Sequence, residues 1–89
     1  MMNELVTELN AVMDSSFERI VGTGKWILYF ERLKANNVKE IFRVSVKSKN
    51  IRYYCVSHDT SVHKVSLQRP TDKVPFNTVA EVIDYIYGA

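Results

Sequence analysis

The chain of 89 residues has one cysteine, two prolines and three glycines, and its apolar runs are short. A single cysteine excludes an intrachain disulfide and favours a reducing compartment. A membrane helix needs about 20 consecutive apolar residues, and the chain does not open with the basic and then apolar segment of a signal peptide. We therefore predict no membrane segment and a cytoplasmic location, in the protein's own cell or in that of a host.

The sequence also lacks a complete catalytic, metal-binding or cofactor-binding motif. Gly22-Thr23-Gly24-Lys25 matches only part of a phosphate loop, because Trp26 stands where Ser or Thr should follow the lysine. Ser57-His58-Asp59 has the residue types of a hydrolase triad, but adjacent strand residues point to opposite faces. Cys55, His58 and His63 have no evident fourth ligand for zinc. We expect a protein that is not an enzyme and has no cofactor or metal.

The composition fits one ordinary globular domain over residues 1–89, with 46% hydrophobic and 25% charged residues. The net charge of +2 hides an asymmetry along the chain. Residues 1–20 hold four acidic residues and one basic residue, whereas residues 41–76 hold seven basic and two acidic residues. An acidic end and a basic middle indicate that the middle could attract an anionic partner.

Residues 41–58 form the centre of the predicted sheet. Two runs of alternating residues flank Ser48-Lys49-Asn50, a pattern typical of a β-hairpin. With Lys49-Asn50 at the tip, Phe42 faces Ser57 on the second strand. This register predicts a core face formed by Phe42, Val44, Val46, Ile51, Tyr53 and Cys55.

The opposite face of the same hairpin is the candidate binding site. Basic side chains with an aromatic ring between them suit a phosphate backbone and stacked bases. In the predicted register that face carries Arg43, Lys47, Arg52, Tyr54 and His58, with Lys49 at the tip. A lysine-rich hairpin is also a common protection of sheet edges.

Residues 25–33 fit either a helix or a strand, since their apolar residues satisfy both periods. Aromatic and β-branched residue types favour the strand. Antiparallel pairing with residues 41–47 brings Phe30 opposite Phe42 and Arg32 opposite Glu40, an agreement that the helix does not offer. We predict a strand whose core face carries Trp26, Leu28 and Phe30.

Amphipathic helices are predicted at both ends of the chain. Asn3 is a suitable N-cap for the first helix, which has an apolar stripe between residues 5 and 13. Thr78 and Glu81 form a capping box that begins the last helix, and Gly88 is placed to end it. The apolar stripe of the last helix is Val79, Val82, Ile83 and Ile86.

These elements predict an α+β fold with the order α-β-β-β-β-α. A fourth strand is expected at residues 62–67, followed by a loop over residues 68–74. Both faces of this four-stranded antiparallel meander carry apolar residues. We therefore expect the N-terminal helix on one face and the C-terminal helix on the other.

Arg43 lies in the middle of the central predicted strand, between Tyr29 and Val56. An arginine buried there needs a carboxylate, and the last helix offers Glu81 and Asp84. A structural ion pair with that helix is the favoured interpretation, and an anion of a partner is the alternative.

The order of elements resembles a Src-homology-2 domain. Gly24-Lys-Trp-Ile-Leu-Tyr29 is similar to that family's Gly-x-Phe-Leu-Val-Arg strand, and Phe76–Tyr87 is similar to its Phe-x-Ser-Leu-x-x-Leu-Val-x-Tyr-Tyr helix. The resemblance implies a similar fold. Tyr29 stands where the family has its phosphate-binding arginine, and Arg52 falls near the family's histidine on a later strand.

The sequence therefore predicts a binding protein and not a catalyst. The first hypothesis is a protein-interaction module, such as a small accessory or inhibitor protein of a phage or virus that binds a host protein. The alternative is a nucleic-acid-binding domain that uses the basic hairpin 43–54. The sequence does not determine the oligomeric state.

Overall fold

The computed structural model describes residues 2–49, 51–61 and 73–88. Two α-helices, α1 (Met2–Val12) and α2 (Val79–Ile86), stand at the two ends of these residues. Between them lie five strands: β1 (Glu18–Thr23), β2 (Ile27–Leu33), β3 (Lys39–Lys49), β4 (Ile51–Ser61) and β5 (Lys73–Phe76). A short 3₁₀ turn (Ala35–Asn37) joins β2 to β3.

The strands form one antiparallel sheet in the order β1-β2-β3-β4-β5, so each strand pairs with its neighbour in the chain. The predicted α+β class, an antiparallel meander with a helix at each end, is confirmed. The segment predicted as a strand at 25–33 is a strand. Its predicted register is also confirmed, because Phe30 pairs with Phe42 and Arg32 pairs with Glu40.

Two of the five strands were not predicted. β1 occupies a stretch for which no element was predicted; it pairs Ile20 with Phe30 and has an irregularity between Ile20 and Gly22. β5 falls partly in the predicted loop and pairs Phe76 with Tyr54. Both are short strands at the sheet edges, where pairing more than residue type decides the structure. The strand predicted at 62–67 lies outside the described residues.

The predicted register of the β3–β4 hairpin is wrong by one residue. Lys49 pairs with Ile51, whereas the prediction placed Lys49 at the tip. As a result Val46 pairs with Tyr54 and not with Tyr53. Because side chains alternate along a strand, this slip moves every side chain of β4 to the other face.

Both helices pack on the same face of the sheet, so the prediction of one helix on each face is wrong. The core lies between that face and the helices, and Leu5 and Leu9 of α1 are fully buried in it. Predicted core residue Trp26 is 48% exposed, because it precedes β2 at the sheet end. The core residues are Met2, Leu5, Leu9, Leu28, Phe30, Phe42, Val44, Val46, Tyr54, Val56, Val79, Val82 and Ile86.

The predicted ends of α2 are confirmed. The Thr78 hydroxyl accepts a hydrogen bond from the backbone N–H of Glu81 at 3.2 Å, which satisfies a free donor of the first turn. Gly88 follows the helix with a φ of +66°, a conformation that glycine adopts without strain. Asn3 is not an N-cap, since α1 already begins at Met2.

Candidate partner-binding surface

The face of the sheet opposite the helices, which we call the open face, carries no described helix. It presents the odd-numbered side chains of β2, β3 and β4, because successive strand residues point to alternate sides. Tyr29 is 39% exposed and Leu33 is 45% exposed, while Tyr53 is half-buried. The open face mixes apolar, aromatic and charged groups: Ile27, Tyr29, Glu31, Leu33, Ile41, Arg43, Ser45, Lys47, Tyr53 and Cys55.

A shallow depression of about 180 Å³ lies within the open face. Arg43 and Lys47 stand on either side of Ser45 along β3, and Cys55 pairs with Ser45 from β4. The Ser45 hydroxyl donates a long hydrogen bond of 3.5 Å to the carbonyl oxygen of Cys55. Ser57, which is 4% exposed, also lines the depression. An anionic group placed here would meet two cations on one strand.

The positive charges of the open face are neutralised at one end and not at its centre. Glu31 accepts from Arg19 at 3.3 Å and lies 3.6 Å from the Lys39 ammonium. Among the residues that the structure describes, neither Arg43 nor Lys47 forms an ion pair with a carboxylate. The centre of the open face therefore has an excess of positive charge.

The expected ion pair between Arg43 and the last helix is not formed. Glu81 and Asp84 belong to α2, which packs on the other face of the sheet. Arg43 instead pairs with Tyr29 on β2 and with Ser57 on β4. The interpretation of Arg43 as a structural partner of α2 is wrong, and its guanidinium remains half-buried on the open face.

The other predicted binding residues do not share one surface. Lys47 is exposed on the open face, whereas Arg52 and Tyr54 point to the face that carries the helices. Tyr54 is 2% exposed, and burial raises the pKa of its phenol. The prediction of Tyr54 as an exposed aromatic is thus wrong. Lys49 belongs to β3 through its backbone, and its side chain lies outside what the structure describes.

A second charged site surrounds Trp26 at the end of the sheet. The Lys25 ammonium lies 5.2 Å from the centroid of the indole ring, and the Arg52 guanidinium lies 5.8 Å from it. Both distances fit cation–π contacts. We call the adjoining space, of about 450 Å³, the Trp26 groove; it is lined by Met2, Asn3, Gly24, Lys25, Trp26 and Arg52.

Sequence reasoning missed the Trp26 groove for two reasons. We placed Trp26 in the core because it continues the alternation of β2. We placed Arg52 on the other face because of the slipped hairpin register. The glycines of Gly22-Thr23-Gly24, just before Trp26, were the available signal, because they indicate a turn and a side chain beside a turn is often solvated.

A charged cluster around Arg32 was predicted only in part. The expected neighbour Glu40 accepts from the Arg32 guanidinium at 3.1 Å. Glu18 accepts a second bond at 2.9 Å, and the carbonyl oxygen of Ile86 accepts a third at 2.6 Å. Tyr87 donates to the other oxygen of Glu18 at 3.1 Å. Because the two buried carboxylates are satisfied in this way, the cluster joins α2 to the sheet.

The possible zinc ligands are separated by the sheet. His58 stacks on Phe42 on the helix-bearing face, and its Nε2 atom lies 2.7 Å from a Glu40 oxygen. Cys55 is half-buried on the open face, so its predicted core position is wrong. His63 lies outside the described residues. Cys55 and His58 therefore cannot bind one ion together.

Comparisons with protein-family models, with curated proteins and with solved structures found no match to this chain. The resemblance to the Src-homology-2 family accordingly stays a prediction. Among the described residues, no helix is long and apolar enough to cross a membrane. We therefore infer function from the geometry and charge of the two surfaces.

Proposed function

We propose that this chain is a non-enzymatic protein-binding module that holds an acidic surface of its partner against the open face. The observation that carries the proposal is the placement of both helices on one side of the sheet. The open face consequently presents Tyr29 opposite Arg43 and Tyr53 opposite Lys47. A cytoplasmic partner is the proposed class, supported by the single cysteine of the chain.

The residue types of the open face support a protein partner. Interfaces derive most of their binding energy from a few anchors, and Tyr and Arg are enriched among them. Tyr29 and Arg43 are paired neighbours on β2 and β3, so one partner segment could contact both. Ile27, two residues before Tyr29 on the same face, is half-buried and could help to exclude water from such a contact.

Charge indicates the chemistry of the partner. Arg43 and Lys47 have no carboxylate partner among the described residues. A complementary Asp or Glu on the partner would supply one, and long-range attraction would speed the encounter. The proposed partner therefore presents a carboxylate flanked by apolar groups.

The two edges of the sheet are poor alternatives for binding another chain. β5 has only four residues, and one of them, Pro75, has no backbone N–H to donate. β1 is irregular between Ile20 and Gly22, and such irregularities protect edges from pairing. This supports a partner that docks on the open face and does not extend the sheet.

Site-specific photo-crosslinking tests the proposal. A benzophenone amino acid at position 29 should crosslink to a distinct protein, while the same group at the exposed position Asn10 of α1 should not. With the captured partner purified, we expect Tyr29→Ala to weaken binding about 30-fold, as for an interface anchor. Arg43→Glu should weaken it further by charge reversal. Crosslinks from position 10 alone, or only between copies of this chain, would contradict the proposal.

A further inference from the structure

The Trp26 groove lies apart from the open face, on the side of the sheet that carries the helices. It combines an indole ring that is 48% exposed with two cations within 6 Å of the ring centroid. The side chain of Arg52 reaches it from β4, and Lys25 belongs to the turn before β2. The first turn of α1 contributes the remaining wall.

The charge of the groove is uncompensated. Its lining within the described part of the chain includes no carboxylate. Among the residues that the structure describes, neither Lys25 nor Arg52 forms an ion pair. The cations instead contact the face of the ring, where they remain able to reach an incoming anion.

We propose that the Trp26 groove binds single-stranded nucleic acid. One base stacks on the indole of Trp26 in place of the cation–π contacts, and Lys25 and Arg52 turn from the ring to pair with the phosphates on either side of that base. Proteins that bind single strands combine these two elements, an aromatic ring for stacking and cations for the backbone. A volume of about 450 Å³ lies in the range of pockets that hold small organic ligands.

The ring distinguishes this ligand from an acidic peptide. A peptide carboxylate would satisfy Lys25 and Arg52 but would leave the indole face exposed to water. A nucleotide carries a flat base and a phosphate on the same unit, so that it satisfies the ring and the cations together. The observations therefore favour nucleic acid over an acidic protein at this site.

Trp26 is the only tryptophan of the chain, so tryptophan fluorescence reports on this groove alone. We expect an oligothymidylate of about eight nucleotides, within the usual site size for one small domain, to quench Trp26 emission on titration. Polyglutamate of similar length should leave the emission unchanged. Quenching by polyglutamate without quenching by the oligonucleotide would overturn the proposal in favour of an acidic protein.

Two further experiments separate the contribution of base stacking from the contribution of phosphate binding. Fluorescence anisotropy of a labelled oligonucleotide should show that Trp26→Ala weakens binding about 5- to 150-fold, the range for one stacked base. Phe17→Ala, which removes another exposed aromatic ring, should leave the affinity unchanged. Inorganic polyphosphate should compete poorly; competition equal to that of the oligonucleotide would reduce the site to a phosphate site and overturn the proposal.

Salt dependence measures the phosphate contacts. Lys25→Gln and Arg52→Gln should each flatten the slope of log affinity against log salt by about 0.7. Lys34→Gln removes the same charge at a lysine that lies 3.8 Å from Glu40 and outside the groove, and should leave the slope unchanged. Equal slopes for all three variants, with circular dichroism showing folded protein, would contradict the proposal. Because none of these residues lies on the open face, failure here leaves the protein-binding proposal intact.

Discussion

The guanidinium of Arg32 donates a hydrogen bond of 2.6 Å to the backbone carbonyl oxygen of Ile86, the last residue of α2. Carbonyl groups at a helix C-terminus lack intrahelical donors, and a cation there also interacts favourably with the helix dipole. The same guanidinium is held between the carboxylates of Glu18 and Glu40. One side chain of β2 therefore links three strands to the last helix.

Replacement of Arg32 should lower the free energy of unfolding. Arg32→Met would leave Glu18 and Glu40, which are 8% and 6% exposed, without the guanidinium that they share. We expect a loss of about 3 kcal/mol in the free energy of unfolding, the lower end for a broken buried ion pair, since the Arg32 side chain keeps 19% exposure. Arg19→Met is the control, because its ion pair with Glu31 is exposed and should contribute less than about 1 kcal/mol. Urea denaturation that gives equal losses for both variants would contradict a structural role for Arg32.

Adjacent tyrosines test the register of the hairpin. Tyr54 is 2% exposed in the core, whereas Tyr53 is half-buried on the open face. We expect Tyr54→Ala to cost about 3–5 kcal/mol, as for other large aromatic deletions in a core, and Tyr53→Ala to cost no more than about 1 kcal/mol. Chemical denaturation of the two variants measures both values. A larger loss for Tyr53→Ala than for Tyr54→Ala would instead support the predicted register, with Lys49-Asn50 at the tip.

Tyr87 should make stability depend on alkaline pH. Burial, and then the hydrogen bond to the Glu18 carboxylate and its charge, raise the pKa of Tyr87 to about 12. Tyrosine in an unfolded chain ionises near pH 10. The unfolded chain therefore loses this proton first, so the contribution is fully present below about pH 10 and is lost as the pH rises to about 12.

The comparison of two phenylalanine variants isolates this effect. Unfolding free energies of Tyr87→Phe should fall less between pH 10 and pH 12 than those of the unaltered chain. Tyr29→Phe on the open face should follow the unaltered chain. The buried Tyr54, whose pKa is also raised, is present in all three proteins. Its contribution to the pH dependence of the unfolding free energy therefore cancels in the comparison. Parallel curves for all three would mean that the Tyr87 proton is not coupled to folding.

The single cysteine gives a probe of the open face. Cys55 is half-buried there, so an aromatic disulfide reagent should modify it in native buffer without unfolding. Bound partner should slow the reaction, because Cys55 lines the depression between Arg43 and Lys47. The reaction is followed by absorbance in the presence and absence of the captured partner. Modification only in denaturant would place Cys55 in the core, as we first predicted.

The register of β2 against β3 could be predicted because both strands alternate clearly. A shift by one residue would remove Phe30 and Phe42 from the core together, so only one pairing satisfies burial. The sequence of β4 does not distinguish between two registers in this way. Tyr53 and Tyr54 are equally suited to the core, and so are Cys55 and Val56. The pairing of Lys49 with Ile51 decides which face each side chain of β4 occupies, and the residue types near the tip did not reveal that pairing.

The candidate site was predicted in part for the same reason. Arg43 and Lys47 lie an even number of residues apart on one strand, so their common face followed from strand geometry alone. Arg52 and Tyr54 were misplaced with the rest of β4. The side on which each helix packs is not encoded in its own apolar stripe, since either face of the sheet offers apolar residues. The open face could therefore not be recognised before the helices were placed.

The unbroken order of the five strands has a consequence for how fast the chain folds. Each described strand pairs with the next one along the chain, so the pairings are local in sequence, and low contact order favours rapid folding. The packing of α1 beside α2 in one core is different, because it joins residues near both ends of the chain. Closing that long loop has the largest entropy cost. We therefore expect the central hairpin to form early in the transition state, and the docking of the terminal helices to follow it.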